Sequence, residues 1–329
     1  MADAPLLDVD DLWIEFRAGR EVVHAVNGVS FRIEPGETAA ILGESGSGKS
    51  VSLAAVMRLL QIPPAHIPKG TVRFKGMDVL NMPIGEWRQY CGRDISMVFQ
   101  DALTSLNPVF SVGWQIAELF RTHGVASGRE ANERAVELLD RVGIPDPAMR
   151  AKDYTHQFSG GMRQRVMIAM AIALGPELLI ADEPTTALDV TVQAQIMELL
   201  SGLRDESDMA MILITHDLGV VADVADTVAV MYAGRVVEQG RVSDVLGRPS
   251  HAYTRALLNS VPRARNKGQT LEPITGSPPD LARIPSGCAF HPRCRFATAI
   301  CRNEAPPRIA VTPGRFAECH HAEMVFNDA

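Results

Sequence analysis

Ala39-Ala40-Ile41-Leu42 is followed by Gly43-Glu44-Ser45-Gly46-Ser47-Gly48-Lys49-Ser50 and then by the apolar run Val51 to Leu60. The stretch reads as a buried strand, a glycine-rich turn and a helix, the context in which the pattern G-x-x-x-x-G-K-S binds phosphate. The glycines let the backbone curl so that N–H groups face phosphate oxygens, and the helix N-terminus adds about half a positive charge. Lys49 would reach the terminal phosphates and Ser50 would hold Mg²⁺. The bland alternative, a glycine-rich turn before a helix, leaves the Lys-Ser pair unexplained.

Working outward, three more continuously apolar runs, Ile95 to Phe99, Leu178 to Ala181 and Met211 to Ile214, read as strands covered on both faces. Each of the four runs ends in polar residues: Gly43-Glu44-Ser45, Gln100-Asp101, Asp182-Glu183 and Thr215-His216-Asp217. In open α/β sheets ligands bind beyond the carboxyl ends of the strands, so these ends are candidates for one site. Upstream, Leu12, Ile14 and Phe16, and then Val29, Phe31 and Ile33, alternate with polar residues, as half-buried antiparallel strands do. Helical patterning at Gln115 to Arg121 and Glu130 to Val142 predicts an inserted helical subdomain. From about Ser260 the composition turns to Pro, Arg, Cys and His without periodicity, which predicts a tail separate from the core.

With 329 residues, 46% hydrophobic and 22% charged, the chain has the composition of a globular domain with an appendage. A net charge of −7 disfavours nucleic acid as the main partner. The acidic start lacks the basic and apolar regions of a secretory signal, which predicts a protein that stays in the cytoplasm. The most apolar stretch, Val166 to Ala181, is broken by Gly175-Pro176 and carries Glu177. It reads as a buried helix and strand rather than a membrane span.

Two further motifs carry chemistry. Leu178 to Ala181 delivers Asp182 and Glu183 to a strand end: Asp182 would bind Mg²⁺ through water, and Glu183 would polarise the water that attacks a γ-phosphate. Alone, such a pair is more often a solvated turn; beside a phosphate loop it is not. Phe158-Ser159-Gly160-Gly161-Met162-Arg163-Gln164-Arg165 precedes another apolar helix, and Ser159 with the Gly160-Gly161 backbone offers donors to an anion. The plain alternative is a helix cap.

Together these motifs resemble those of the ABC ATPases, in that family's order, over residues 1 to about 260. The resemblance implies an α/β fold: a phosphate-loop NTPase core with an antiparallel β subdomain, a helical subdomain at about 104–175, and a Cys-rich C-terminal extension at 261–329 beyond a nucleotide-binding domain at 1–260. It implies that Gln100 senses Mg²⁺ and the membrane partner, that Asp189, in Ala187-Leu188-Asp189, belongs to the D-loop, and that His216 contacts the γ-phosphate. Phe16 is the candidate for stacking on adenine, its alternative being simple burial. The phosphate loop and the Ser159-Gly160-Gly161 motif lie in different subdomains, and the resemblance implies that two subunits pair head to tail around each ATP.

Phe158 and Met162, the runs Phe99-Gln100-Asp101 and Thr104 to Pro108, Arg163 to Ala171, and His251-Ala252-Tyr253-Thr254 resemble the D-type ATPases of peptide importers. Ala102, where Pro is common, departs from that pattern. The resemblance implies an F-type ATPase as heterodimer partner, two membrane permeases, an extracytoplasmic substrate-binding protein, and a peripheral place on the cytoplasmic face of the bacterial inner membrane. Importers of nickel, glutathione or sugars use similar ATPases. A soluble ABC ATPase of DNA repair or translation is the reading from another class, and it would call for a coiled-coil insertion or a second cassette.

Of five cysteines, Cys288, Cys294, Cys301 and Cys319 fall in the tail, separated by five, six and seventeen residues, while Cys91 reads as structural. Clustering in a cytosolic chain favours metal over disulfides. The spacing lacks the short knuckles of structural zinc, whereas iron–sulfur clusters tolerate looser spacing. The tail is also similar to the extension of peptide-importer ATPases, some of which hold a [4Fe-4S] cluster on four cysteines. Zinc and free thiols are the other readings, and His291, His320 and His321 are substitute ligands.

Overall fold

The computed structural model describes residues 4–19, 21–186, 188–260 and 273–327. In chain order its strands are β1 Leu7–Ala18, β2 Glu21–Ile33, β3 Thr38–Leu42, β4 Ala65–Phe74, β5 Met77–Asp78, β6 Ile95–Val98, β7 Leu178–Asp182, β8 Ala210–Ile214, β9 Thr227–Tyr232, β10 Arg235–Arg241, β11 Arg308–Thr312 and β12 Arg315–Glu318. The chain divides into two units, one comprising Met1–Ile33, Thr38–Leu80 and Thr215–Ala329, the other Glu34–Glu37 and Asn81–Ile214.

In the first unit, β2, β1, β4 and β5 form an antiparallel sheet in that order. Leu7, Val9, Leu12 and Ile14 of β1 are fully buried while the residues between them reach solvent, which is the alternation of a strand wet on one face. Beside this sheet β3 pairs parallel with β9, and β9 continues antiparallel through β10 to β12 and β11. Every residue of β3 is buried.

The tail is not separate from the core. Strand β12 adds to the edge of β10 through Glu238 opposite Ala317 and Gln239 opposite Phe316. Phe290, Ala317, Cys319, Ala322 and Val325 share one hydrophobic cluster with Val228, Val230 and Tyr232 of β9. Apolar residues scattered through the tail without a period show this only once folded, because short strands and a hairpin bury single side chains rather than a stripe. Glu238, wholly buried, accepts from Arg315 (2.8 Å) and from the backbone N–H groups of Ser250 (2.8 Å) and His251 (3.0 Å).

In the second unit, β6, β7 and β8 run parallel, all but wholly buried. Between β6 and β7 come the helices Ala102–Ser105, Val112–Thr122, Gly128–Arg141, Pro147–Arg150 and Gly160–Ile172. Ser111 caps the second of these by accepting from the Trp114 N–H, and helix Gly128–Arg141 turns Ala131, Ala135, Leu138 and Leu139 inward.

The helix after the phosphate loop spans Lys49–Val56, shorter than the run to Leu60 suggests. Arg58 stands at φ 54°, and the Leu59 N–H reaches back to the Ala54 carbonyl at 2.8 Å. This left-handed stop precedes Pro63, whose predecessor is barred from helical geometry. No helix among the described residues is long and apolar enough to cross a membrane.

Candidate functional site

Each of the two units carries its own half-site of candidate residues. In the first, residues 43–50 turn from β3 into helix Lys49–Val56. Gly43 (φ 155°) and Gly48 (φ 100°) have no room for a side chain: a Cβ would stand 2.3 Å from the Met231 carbonyl oxygen and 2.5 Å from that of Ala25, respectively. Here glycine is required for close backbone approach as well as for its φ. Gly46 (φ 78°) has open space around it, and it and Ser45 are exposed. Lys49 is buried, and its ammonium donates to the carbonyls of Gly43 (2.8 Å) and Glu44 (3.0 Å).

The cap position of that helix is Gly48, which makes no side-chain cap hydrogen bond, and helix N-termini attract anions. Ser47 is 4% exposed, and its hydroxyl is buried with no hydrogen-bond partner among the described residues. A buried polar atom left so calls for a ligand or water. Ser50, half-buried, is the second residue of the helix. The same unit holds Phe16, half-buried on β1 between Val23 of β2 and Ala65 of β4, so one face is neither fully packed nor fully free. His216 is exposed directly after buried Thr215, and Asp217 caps the following helix Leu218–Val224 by accepting from the Gly219 and Val220 N–H groups.

In the second unit, β6 and β7 deliver Gln100 and the pair Asp182-Glu183 to the same edge, Val98 standing opposite Ala181. Asp182 is buried and Glu183 half-buried. Glu183 has φ 46°, a conformation that costs a non-glycine residue on the order of 1 kcal/mol. Three bonds hold it there: its N–H donates to the Ile214 carbonyl (3.0 Å), and its Oε2 accepts from Gln100 Nε2 (3.1 Å) and Thr186 Oγ1 (2.9 Å). Sequence reading missed Thr186; the only signal is a hydroxyl three residues beyond the carboxylate.

Also in this unit, Ser159 caps helix Gly160–Ile172, its hydroxyl accepting from the Met162 N–H at 3.4 Å. Ser159 and Gly160 are exposed. Gly161 is packed so closely that a Cβ would lie 2.7 Å from Val192 Cγ1. Asp189 caps helix Val190–Ser207 by accepting from the Val192 N–H at 3.0 Å, while Ala187 of the same motif lies outside the described residues. Capping and anion binding use the same helix termini, so the helix-cap reading of Ser159 and the anion reading are compatible.

The tail adds a second cluster in the first unit. Cys288, Cys294, Cys301 and Cys319 are free thiols, buried or half-buried. The Cys288 N–H donates to the Cys301 carbonyl at 2.8 Å. Burial, then the fields of the neighbouring cysteines, pushes the Cys294 thiol up to about 11, and burial raises Cys288 likewise to about 11. The ring nitrogens of His291, His321 and His320 bond the Cys288 carbonyl, the Thr298 hydroxyl and the Glu304 carbonyl. Among the described residues no three His, Cys, Asp or Glu side chains are grouped to hold a single metal ion.

Sequence reading also missed Arg293, whose guanidinium grips the Glu44 carboxylate through two bonds of 2.7 and 3.0 Å. The partners are 249 positions apart, so no local pattern announces them.

Comparison with known proteins bears on both half-sites. Residues 26–186 match the family model described as ABC transporter, and residues 237–301 match the one described as oligopeptide/dipeptide transporter, C-terminal region. A peptide import ATP-binding protein of Brucella melitensis is 49% identical over 97% of this chain and 98% of its own length. The oligopeptide transport ATP-binding protein OppD of Bacillus subtilis is 49% identical over 95% of this chain and 88% of its own. Among solved structures, the ATP-binding cassette MJ0796 in a dimeric post-hydrolysis state bound to ADP and phosphate is 28% identical. It superposes with TM-score 0.65 over 72% of this chain and 98% of that one.

Proposed function

The chain belongs to the ABC transporter ATP-binding proteins of the peptide-import kind, and from that premise we propose how its two half-sites work. It is an ATPase subunit of a peptide importer. Residues 43–50 cradle the phosphates of ATP, with Lys49 on the terminal phosphates. Ser50, and Asp182 through water, hold Mg²⁺, which supplies charge neutralisation of the phosphates when bound. Glu183 orients the attacking water, Gln100 senses Mg²⁺ and the membrane partner, His216 contacts the γ-phosphate, and Phe16 stacks on adenine. The observation that carries this reading is the phosphate loop itself: a buried lysine at a helix start without a side-chain cap, beside a serine hydroxyl that has no hydrogen-bond partner among the described residues.

Ser159, Gly160 and Gly161, with Asp189, act on the ATP held by the opposite subunit, so two ATPase subunits close head to tail. The dimeric state of the related cassette bound to ADP and phosphate supports pairing of two ATPase subunits. The sister subunit is an F-type ATPase, and the pair drives two membrane permeases fed by an extracytoplasmic substrate-binding protein, at the cytoplasmic face of the membrane. Di- and oligopeptides are the cargo. The division of labour is an ATPase domain at 1–260 and an extension at 261–329.

The four tail cysteines hold a [4Fe-4S] cluster. Their burial in one neighbourhood as free thiols suits it. When bound, it would cross-link the tail.

Copurification from the native host tests the transport reading. Permeases in the complex are the expected result, and ribosomes or DNA in their place would overturn it.

A further inference from the structure

The phosphate loop is held by the C-terminal extension as well as by its own helix. Glu44, the second residue of the loop, is fixed at three points. Its carbonyl accepts from Lys49 (3.0 Å), its N–H donates to the Tyr253 hydroxyl (2.9 Å), and its carboxylate takes both Nη groups of Arg293. The Arg293 side chain is 6% exposed. Its Nε donates to the Thr275 carbonyl at 2.9 Å, and Nη1 also reaches the Tyr232 hydroxyl at 3.3 Å.

Nothing in this arrangement is loose. Arg293 ends the short turn His291–Arg293, and Phe290 before it packs on Tyr232 and Tyr253 with ring centroids 5.2 and 5.4 Å away. Arg293 of the tail thus binds Glu44 directly, and Phe290 packs on Tyr253, whose hydroxyl accepts from the Glu44 N–H. A two-bond arginine–carboxylate pair fixes both orientation and charge. Unpaired, the Glu44 carboxylate would place a negative charge in the loop that must accept a polyanion.

We propose that Arg293 is a positioning residue of the nucleotide site: by binding and neutralising Glu44 it sets the conformation of the phosphate loop and its affinity for ATP. The inference rests on the reading of residues 43–50 as the ATP cradle. It gives the extension a part in nucleotide binding that does not depend on what the cysteines hold.

ATP binding and turnover by the full-length protein test it, in Arg293→Ala, Glu44→Ala, the double variant and Lys49→Ala. Arg293→Ala should weaken ATP binding roughly three- to tenfold, the effect of one poorly screened charge near a bound anion, with turnover at saturating ATP nearly unchanged. In the Glu44→Ala background the same substitution should add no weakening. ATP affinity equal to wild type in Arg293→Ala, or an equal loss in both backgrounds, overturns the proposal. Where Arg293→Ala does not fold, Arg293→Lys, which cannot make the two-bond pair, is compared in the same backgrounds under the same criteria. Lys49→Ala separates the two levels of inference. If it binds ATP like wild type, the cradle reading itself fails; if it loses ATP while Arg293→Ala does not, only the role of Arg293 fails.

Discussion

Gln100 donates a 3.1 Å hydrogen bond to the carboxylate of Glu183, joining the ends of two adjacent parallel strands. The Thr186 hydroxyl binds the same oxygen at 2.9 Å. The Glu183 backbone is in a left-handed conformation, and these two bonds hold its carboxylate in place. Such preorganisation is what a water-orienting group needs, because phosphoryl transfer relies on positioning more than on covalent chemistry.

Glu183→Gln is therefore expected to keep ATP binding while lowering hydrolysis in the assembled transporter by about a hundredfold or more, the usual effect of removing one transition-state group. The steady-state rate checks it. A rate within a few-fold of wild type would remove Glu183 from the role given to it.

The phosphate loop, the buried strands and the carboxylate pair were legible because their signals are local. Glycines at fixed spacing and unbroken apolar runs such as Leu178 to Ala181 need no knowledge of distant residues. Arg293 with Glu44, and Arg315 with Glu238, were not legible, since each pair joins residues far apart in sequence and charge type alone does not choose partners. The tail misled for a related reason. Its strands β11 and β12 are short, and their burial depends on the edge of β10 that receives them, not on a repeating pattern of their own.

Burial of His251 makes stability depend on pH. Desolvation lowers its pKa from 6.5 to about 3, a bond to the Glu318 backbone working against the shift. Between these values the unfolded chain binds a proton that the folded chain refuses, so stability falls as pH drops below about 6.5 and continues to fall toward about 3. The slope from this residue approaches about 1.4 kcal/mol per pH unit in mid-range. Urea unfolding midpoints from pH 7 to 4 should show it, and His251→Asn should flatten that part of the curve. An unchanged slope would mean that His251 does not stay neutral.

Arg315 is 4% exposed and faces wholly buried Glu238. It also donates to the Ser250 hydroxyl and to the Arg248 carbonyl. Arg315→Ala leaves that carboxylate buried without its cation and is expected to destabilise the fold by about 3–5 kcal/mol. Thermal unfolding measures it; a loss below about 1 kcal/mol, typical of a surface pair, would contradict the buried lock.

For the tail, anaerobic purification should yield brown protein whose iron disappears in Cys294→Ser. Elemental analysis that finds zinc and no iron would refute the cluster and leave the ATPase reading untouched.

Clamping of ATP between the phosphate loop of one subunit and the Ser159 region of another would make pairing depend on nucleotide. Light scattering on the Glu183→Gln protein, alone and mixed with its sister ATPase, with and without Mg²⁺ and ATP, tests it most directly. The mass should double only when nucleotide is present, and Ser159→Arg should abolish the doubling. A chain that binds ATP yet stays monomeric in every mixture would contradict it.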